Sequence, residues 1–241
     1  MKLYRIDFEQ QTAEGLSTGV ADWEATELAN LGSSESRKFF FAPDVVLTKS
    51  YAIVLLGSGD REKPLAEGTQ DYFFAVIDSN LGKGIAGDIG PIEMTDLVSP
   101  DAYASTAEAK GCFLELEPGE KVVNAPLTIG GVTYFGTNRP TPADPRSCSA
   151  NLGEARSYQF PPICKTPTFA TLEGGGLPPS PVGGVVEITY TDPLSGEEVT
   201  RHVPFIIGGD NEKHSPIEAS RVRIAVPPRR TKIYWHTETE R

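Results

Sequence analysis

The chain has 241 residues, 24 of them glycine and 20 proline, and a formal net charge of −11 from 22 Lys and Arg against 33 Asp and Glu. So many helix breakers argue against a helical protein and for a β-rich, loop-rich one, and the length suits one all-β domain over residues 1–241. The negative charge argues against nucleic acid as a partner, because phosphate binding needs clustered Lys and Arg. No apolar run approaches the roughly 20 residues of a membrane-spanning helix.

Lys2 to Phe8 alternates Leu3, Arg5 and Asp7 against Tyr4, Ile6 and Phe8, a period of two that predicts a strand. A lone strand is not stable, so the chain reads as beginning in the middle of a sheet, and MKLYRIDFEQQ has no apolar core of a secretory signal. Between Ala21 and Leu31, DWEATELAN predicts a short helical turn that packs Trp23, Leu28 and Leu31 inward. In Phe39 to Leu47, Pro43 interrupts an apolar run and favours an edge or inner-rim strand start.

Tyr51 to Leu56 is nearly continuously apolar, as suits a strand covered on both faces. Asp71 to Asp78 is the next strand. Ser79 to Lys110 reads as a long insertion with a short helix near Met94 to Leu97. Cys112 to Glu117 alternates again, Pro118-Gly119 turns the chain into Lys121 to Ile129, and Gly130-Gly131 signals a hairpin to Val132 to Gly136. Beyond Tyr158 come a Pro-rich passage, Gly174 to Gly176 and Leu177 to Pro181. The predicted strands that follow are Val185 to Tyr190, His202 to Ile207, Arg221 to Val226 and Lys232 to His236, with a turn at Asp192 to Gly196.

The strand pair at Ser50 to Asp78 recurs in outline at Val132 to Phe160. In each copy an apolar strand reads as ending in a small-residue turn, Gly57-Ser58-Gly59 or Gly136-Thr137-Asn138. Arginine and proline follow (Arg61 and Pro64; Arg139 and Pro140), then a polar loop and a second strand. Such recurrence points to a β-propeller or related β-repeat of roughly three blade-like units.

Residues with chemical potential do not assemble into a motif. His202, His214 and His236 lie far apart without ligand spacing. Cys112, Cys148 and Cys164 lack zinc spacing. In an exported protein, a Cys148–Cys164 disulfide would close one hairpin loop and leave Cys112 a buried thiol. Ser58 is not in a nucleophile elbow, and Gly57-Ser58-Gly59 lacks the third glycine of a dinucleotide loop. Asp78, Asn80 and Asp88 superficially resemble a calcium loop, but Leu81-Gly82 breaks the pattern and no terminal glutamate follows at the right spacing.

Asp60, Glu62, Asp71 and Asp78 read better as a soluble surface than as a glycosidase pair. Arg221, Arg223, Arg229 and Arg230 read as a solvated strand face. No residue is assigned a catalytic, cofactor-binding or metal-binding role.

Several blocks in order carry a family resemblance. Gly57, Ser58, Gly59, Asp60, Arg61, Glu62, Pro64 and Leu65, followed by Tyr72, Phe73 and Asp78, match a strand-turn block of the PilC/PilY family of type IV pilus assembly factors and tip-associated adhesins. Gly119 to Pro140, Cys148 to Phe160, Gly174 to Val182 and the final KIYWHTE resemble later stretches of that family. The resemblance implies an all-β fold, the C-terminal part of a β-propeller, and a non-enzymatic role in pilus extension, surface attachment and twitching motility.

It also implies location at the cell surface, pilus or outer membrane. The implied partners are minor pilins or the pilus tip, a host surface ligand and the remainder of the propeller, with contacts through loops such as Ser79 to Lys110 and Pro140 to Ser147. The family's calcium loop precedes a segment like LYRIDF, so no calcium site or other cofactor is expected within the chain, which reads as a partial propeller. The rival readings are a quinoprotein-like oxidoreductase on a propeller scaffold and a carbohydrate-binding β-domain that uses Tyr103 or Trp235.

Overall fold

The computed structural model describes residues 2–8, 10–12, 15–17, 19–20, 23–32, 37–80, 90–142, 146, 148, 150–161, 164–194, 196–208, 217 and 219–222. The first strands are β1 (Lys2–Asp7), β2 (Gln10–Thr12), β3 (Gly15–Ser17), β4 (Glu24–Asn30), β5 (Asp44–Leu47), β6 (Ala52–Gly57) and β7 (Tyr72–Asp78). After them come β8 (Ile92–Glu93), a 3-10 turn at Met94–Asp96, helix α1 (Pro100–Tyr103) and β9 (Gly111–Glu115). Then follow β10 (Lys121–Val122), β11 (Leu127–Ile129), β12 (Val132–Arg139), β13 (Glu154–Phe160), β14 (Thr168–Leu172), β15 (Val182–Thr191), β16 (Glu198–Ile207) and β17 (Ala219–Arg221).

The strands β5-β6-β7-β9 form one antiparallel sheet, and β10-β12-β13-β14 form the next, with β11 also on β12. The recurrence in the sequence is therefore physical, because β6/β7 and β12/β13 are the middle pairs of neighbouring sheets. A third sheet, β1-β4-β8, and a fourth, β15-β16-β17, lie on either side, and β2-β3 is a separate hairpin.

Burial of β6 and β7 on both faces sets this stacking. Side chains alternate across a strand. Ile53, Leu55, Phe73 and Ala75 pack with Phe135, Tyr158 and Phe160 of the next sheet. Val54, Leu56, Phe74 and Val76 pack on the opposite side with Ala29, Leu31, Ile92 and Leu97. Tyr134 of β12 points away from Phe135 and meets Ile206 of the fourth sheet and Val222 just after it. Sheets stacked face to face in chain order are how propeller blades succeed one another, and the expected all-β, propeller-like class holds.

Several expectations are corrected. Residues 24–30 are a strand where a helical turn was expected. Glu, Ala and Leu favour helix locally, but pairing with β1 and burial of Ala29 and Leu31 outweigh that preference. Neither small-residue trio is a turn. The Ser58 N–H still bonds Tyr72, and Gly136-Thr137-Asn138 lies inside β12. Glycine is needed there for close approach: a Cβ on Gly57 would stand 2.4 Å from Val122 Cγ2, and one on Gly136 would stand 2.5 Å from Asn124 Nδ2.

The disulfide joins Cys112 to Cys164, with Cα atoms 5.8 Å apart, and Cys148 is an exposed free thiol. The pairing expected from chain proximity fails because stacking brings β9 of one sheet against the segment that follows β13 of the next. Asp71 and Asp78, taken for a soluble surface, are buried.

Other readings hold. β5 starts just after Pro43 and is an edge strand, and Gly130-Gly131, both at positive φ, close the β11-β12 hairpin. The 3-10 turn sits where a short helix was expected. Of the expected strand at Arg221 to Val226, Arg221 alone is in a strand, at the end of β17, Val222 is not, and residues 223–226 lie outside the described residues. The strand at Lys232 to His236 lies outside them too.

Candidate functional site

Among the buried polar groups, three anchors join elements. Glu120, fully buried ahead of β10, accepts hydrogen bonds from Thr137 Oγ1 (2.5 Å), Arg156 Nη1 (2.9 Å), Tyr158 Oη (3.0 Å) and the Glu117 backbone N–H (3.2 Å). Arg156 also donates to Glu154 and lies over the Phe169 ring at 4.5 Å. Burial pushes the Tyr158 hydroxyl well above its ordinary pKa, and the Glu120 charge adds to the rise. Burial opposes the charge on Arg156, but the Glu154 hydrogen bond and the Glu120 charge leave it above its ordinary value. A carboxylate so fully engaged is a fastener, with no lone pair directed at a substrate.

The second anchor is Ser58, whose Oγ donates to Asp71 Oδ1 at 2.7 Å. Ser58 is fully buried and is not a nucleophile in reach of solvent. Burial raises the Asp71 pKa against the lowering effect of the Ser58 bond. Lys121, also buried, donates to the Ala66 and Gly119 carbonyls, and burial depresses its pKa. The third anchor is Arg5, which reaches from β1 to Asp78 at 3.0 Å and to Asp7 at 2.9 Å. Asp78, singled out in the sequence with Asn80 and Asp88, thus ties one sheet to the next. Asp88 lies outside the described residues.

Among the described residues no group of three or more His, Cys, Asp or Glu is placed to hold a metal ion. His202 is exposed on β16, while His214 and His236 lie outside the described residues. A cavity of about 40 Å³ between the two middle sheets is lined by Val46, Ile53, Leu55, Ala75 and Phe160 among others, with Thr128 and Thr133 at its polar side. That is space on the scale of a water molecule, far below a cofactor pocket.

The surface offers more. The described part of the 79–110 insertion packs down: Ile92 and Leu97 are buried, Glu93 and Asp96 form a reciprocal cap, and Lys110 pairs with Asp96 at 3.4 Å. Residues 81–89 of that insertion, and 143–145 and 147 of the second expected contact loop, lie outside the described residues. Tyr103 is half-buried against the main core, and Trp235 lies outside the described residues. Of the basic cluster, Arg221 alone is described, on β17.

Exposed apolar side chains gather instead on two strands. Tyr4, Ile6 and Phe8 line the outer face of β1, with Trp23 packed edge-on against Phe8. Val182, Val185, Val186 and Tyr190 lie exposed along β15. The alternation of Tyr4, Ile6 and Phe8, and of VEITYT in β15, marks both strands in the sequence, but not that these side chains are exposed.

No family model matches the chain, and no curated protein matches it. Among solved structures the chain is similar to the C-terminal domain of Pseudomonas aeruginosa PilY1, with a TM-score of 0.50 and 12% identity over 83% of this chain and 53% of that one. The chain thus spans about half the length of that domain. At this identity the likeness speaks for the fold, and it falls on the same group of proteins that the ordered sequence blocks resemble.

Proposed function

We propose that this chain is a propeller-type segment of a type IV pilus-associated surface protein and acts by protein contact rather than by catalysis. The observation that carries the reading is the stack of sheets similar in fold to the PilY1 C-terminal domain, together with the ordered family blocks in the sequence. Two further features support it. The buried polar groups around Glu120 and Ser58 are occupied with one another. The buried Cys112–Cys164 disulfide suits a protein that folds in an oxidising compartment.

On this reading the partners are minor pilins or the pilus tip, and the activities served are pilus extension, attachment and twitching. Deleting the gene in its organism of origin, with complementation by a plasmid copy, tests it directly. Surface pilus number and twitching zones are expected to fall and to recover with the plasmid. Unchanged piliation and motility in the deletion strain would overturn the reading.

A further inference from the structure

Strands β15 and β16 pair over ten residues each, from Val182 opposite Ile207 to Thr191 opposite Glu198. The third strand, β17, reaches only the root, at Phe205, Ile206 and Ile207. At the root, Ile206 is buried with Tyr134 and Val222. Beyond Val186 the ribbon has two strands for five further residues, roughly 17 Å at the usual strand rise. Every described side chain from 187 to 201 is exposed or half-buried.

This arm is two-faced. Val186, Ile188 and Tyr190 share one face with Val203, Arg201 and Val199 opposite them, and the Arg201 guanidinium covers the Tyr190 ring at 5.4 Å. The other face carries Glu187 and Thr189 opposite His202 and Thr200, with a Thr189–Thr200 hydroxyl bond of 2.9 Å. Val186 is 42% exposed and Tyr190 36%, so the apolar face has no covering layer among the described residues. A two-stranded ribbon in water is marginal without one. The outer edge of β15 has no strand partner among the described residues. Charge along the arm is one-sided, with Glu187, Asp192, Glu197 and Glu198 against Arg201, on a chain whose net charge is itself −11.

We propose that the outer edge of β15 is a strand acceptor, to which an extended segment of another polypeptide, alternating apolar and basic side chains, adds as a further strand. Backbone bonds to the outer edge of β15 supply the attachment, as in other cases of strand addition. The apolar side chains of the added strand extend the Val186, Ile188 and Tyr190 face, and its basic ones lie on the other face beside Glu187. Opposite charges in neighbouring strands favour this register, and like charges disfavour it. The inference does not depend on the pilus reading, since it concerns the chemistry of the arm alone.

The test uses the full 241-residue chain and three fluorescein-labelled peptides: alternating Lys-Val, alternating Glu-Val, and a block peptide with the Lys-Val composition unalternated. The alternating basic peptide is expected to bind saturably and to slow amide exchange along β15. The other two are expected to bind at least tenfold more weakly. Tyr190→Lys is expected to weaken the basic peptide tenfold or more. Glu187→Lys, a surface change that keeps the fold, is expected to shift preference toward the acidic peptide. Absence of binding, equal binding of alternating and block peptides, or binding without protection of β15 would each overturn the proposal. So would concentration-dependent self-association that protects β15 without peptide, because a second copy would then be the occupant.

Discussion

The rings of Phe73 and Phe135 stack with centroids 3.8 Å apart and planes 3° from parallel, and Tyr158 continues the stack beyond Phe135 at 5.0 Å. Phe73 belongs to the middle of one sheet and Phe135 to the middle of the next, so this contact joins the two repeated strand pairs. Both rings are fully buried. Phe73→Ala or Phe135→Ala is expected to cost about 3–5 kcal/mol, measured by denaturant unfolding. The double variant is expected to cost less than the sum of the two, by roughly 0.5–1.5 kcal/mol of ring coupling.

The Cys112–Cys164 bridge closes a span of 52 residues between the same two sheets. In the chain-entropy account a loop of that length stabilises the fold by about 4 kcal/mol. Cys112→Ala, Cys164→Ala and strong reductant on the wild type are each expected to lower stability by an amount of that order. Cys148→Ala, at an exposed free thiol, is expected to leave the unfolding midpoint in place. Equal effects of all three cysteine changes would contradict the pairing.

Strand content was legible in the sequence wherever one local pattern dominated. Ala52 to Leu56 is apolar at every position and is buried on both sides, and the Gly130-Gly131 turn announces its hairpin through the φ values it requires. What escaped reading depends on partners distant in sequence. Glu24 to Asn30 carries helix-forming residues but is drawn into a strand by β1, and Cys112 meets Cys164 only once two sheets have stacked. Gly57 and Gly136 looked like turn residues because the crowding that demands glycine comes from Val122 and Asn124, many positions later or earlier. Acidic Asp71 and Asp78 looked like surface for the same reason, since Ser58 and Arg5 become their neighbours through the fold. That β15 is an edge strand among the described residues was no more visible, because an edge is a property of the whole sheet.

The raised pKa of Asp71 gives stability a specific pH dependence. Burial favours its protonated form in the folded state, so the folded pKa lies above the unfolded value of about 4. Its contribution is therefore fully present below that unfolded value and is lost as pH rises through the folded one. Asp71→Asn keeps an acceptor for the Ser58 hydroxyl but cannot titrate. Unfolding free energies measured at intervals from acid to neutral pH are expected to show the wild type losing stability relative to Asp71→Asn as pH rises through that window. Parallel curves would show that Asp71 does not titrate differently in the folded and unfolded chain.

Glu120 and Arg156 form the most fully buried ion pair of the described residues, 2.9 Å apart. Breaking a pair of this kind from one side strands a charge away from water, which costs about 3–5 kcal/mol. Glu120→Ala is expected to fall in that range because Arg156, Thr137 and Tyr158 all lose the same acceptor. Glu120→Gln keeps the shape and an acceptor oxygen and is expected to cost less, with Arg156 still held by Glu154 and Glu117. A Glu120→Gln variant as unstable as Glu120→Ala would mean that the charge itself, and not the acceptor or the packing at Glu120, holds this seam together, and one as stable as the wild type would mean that the charge contributes nothing.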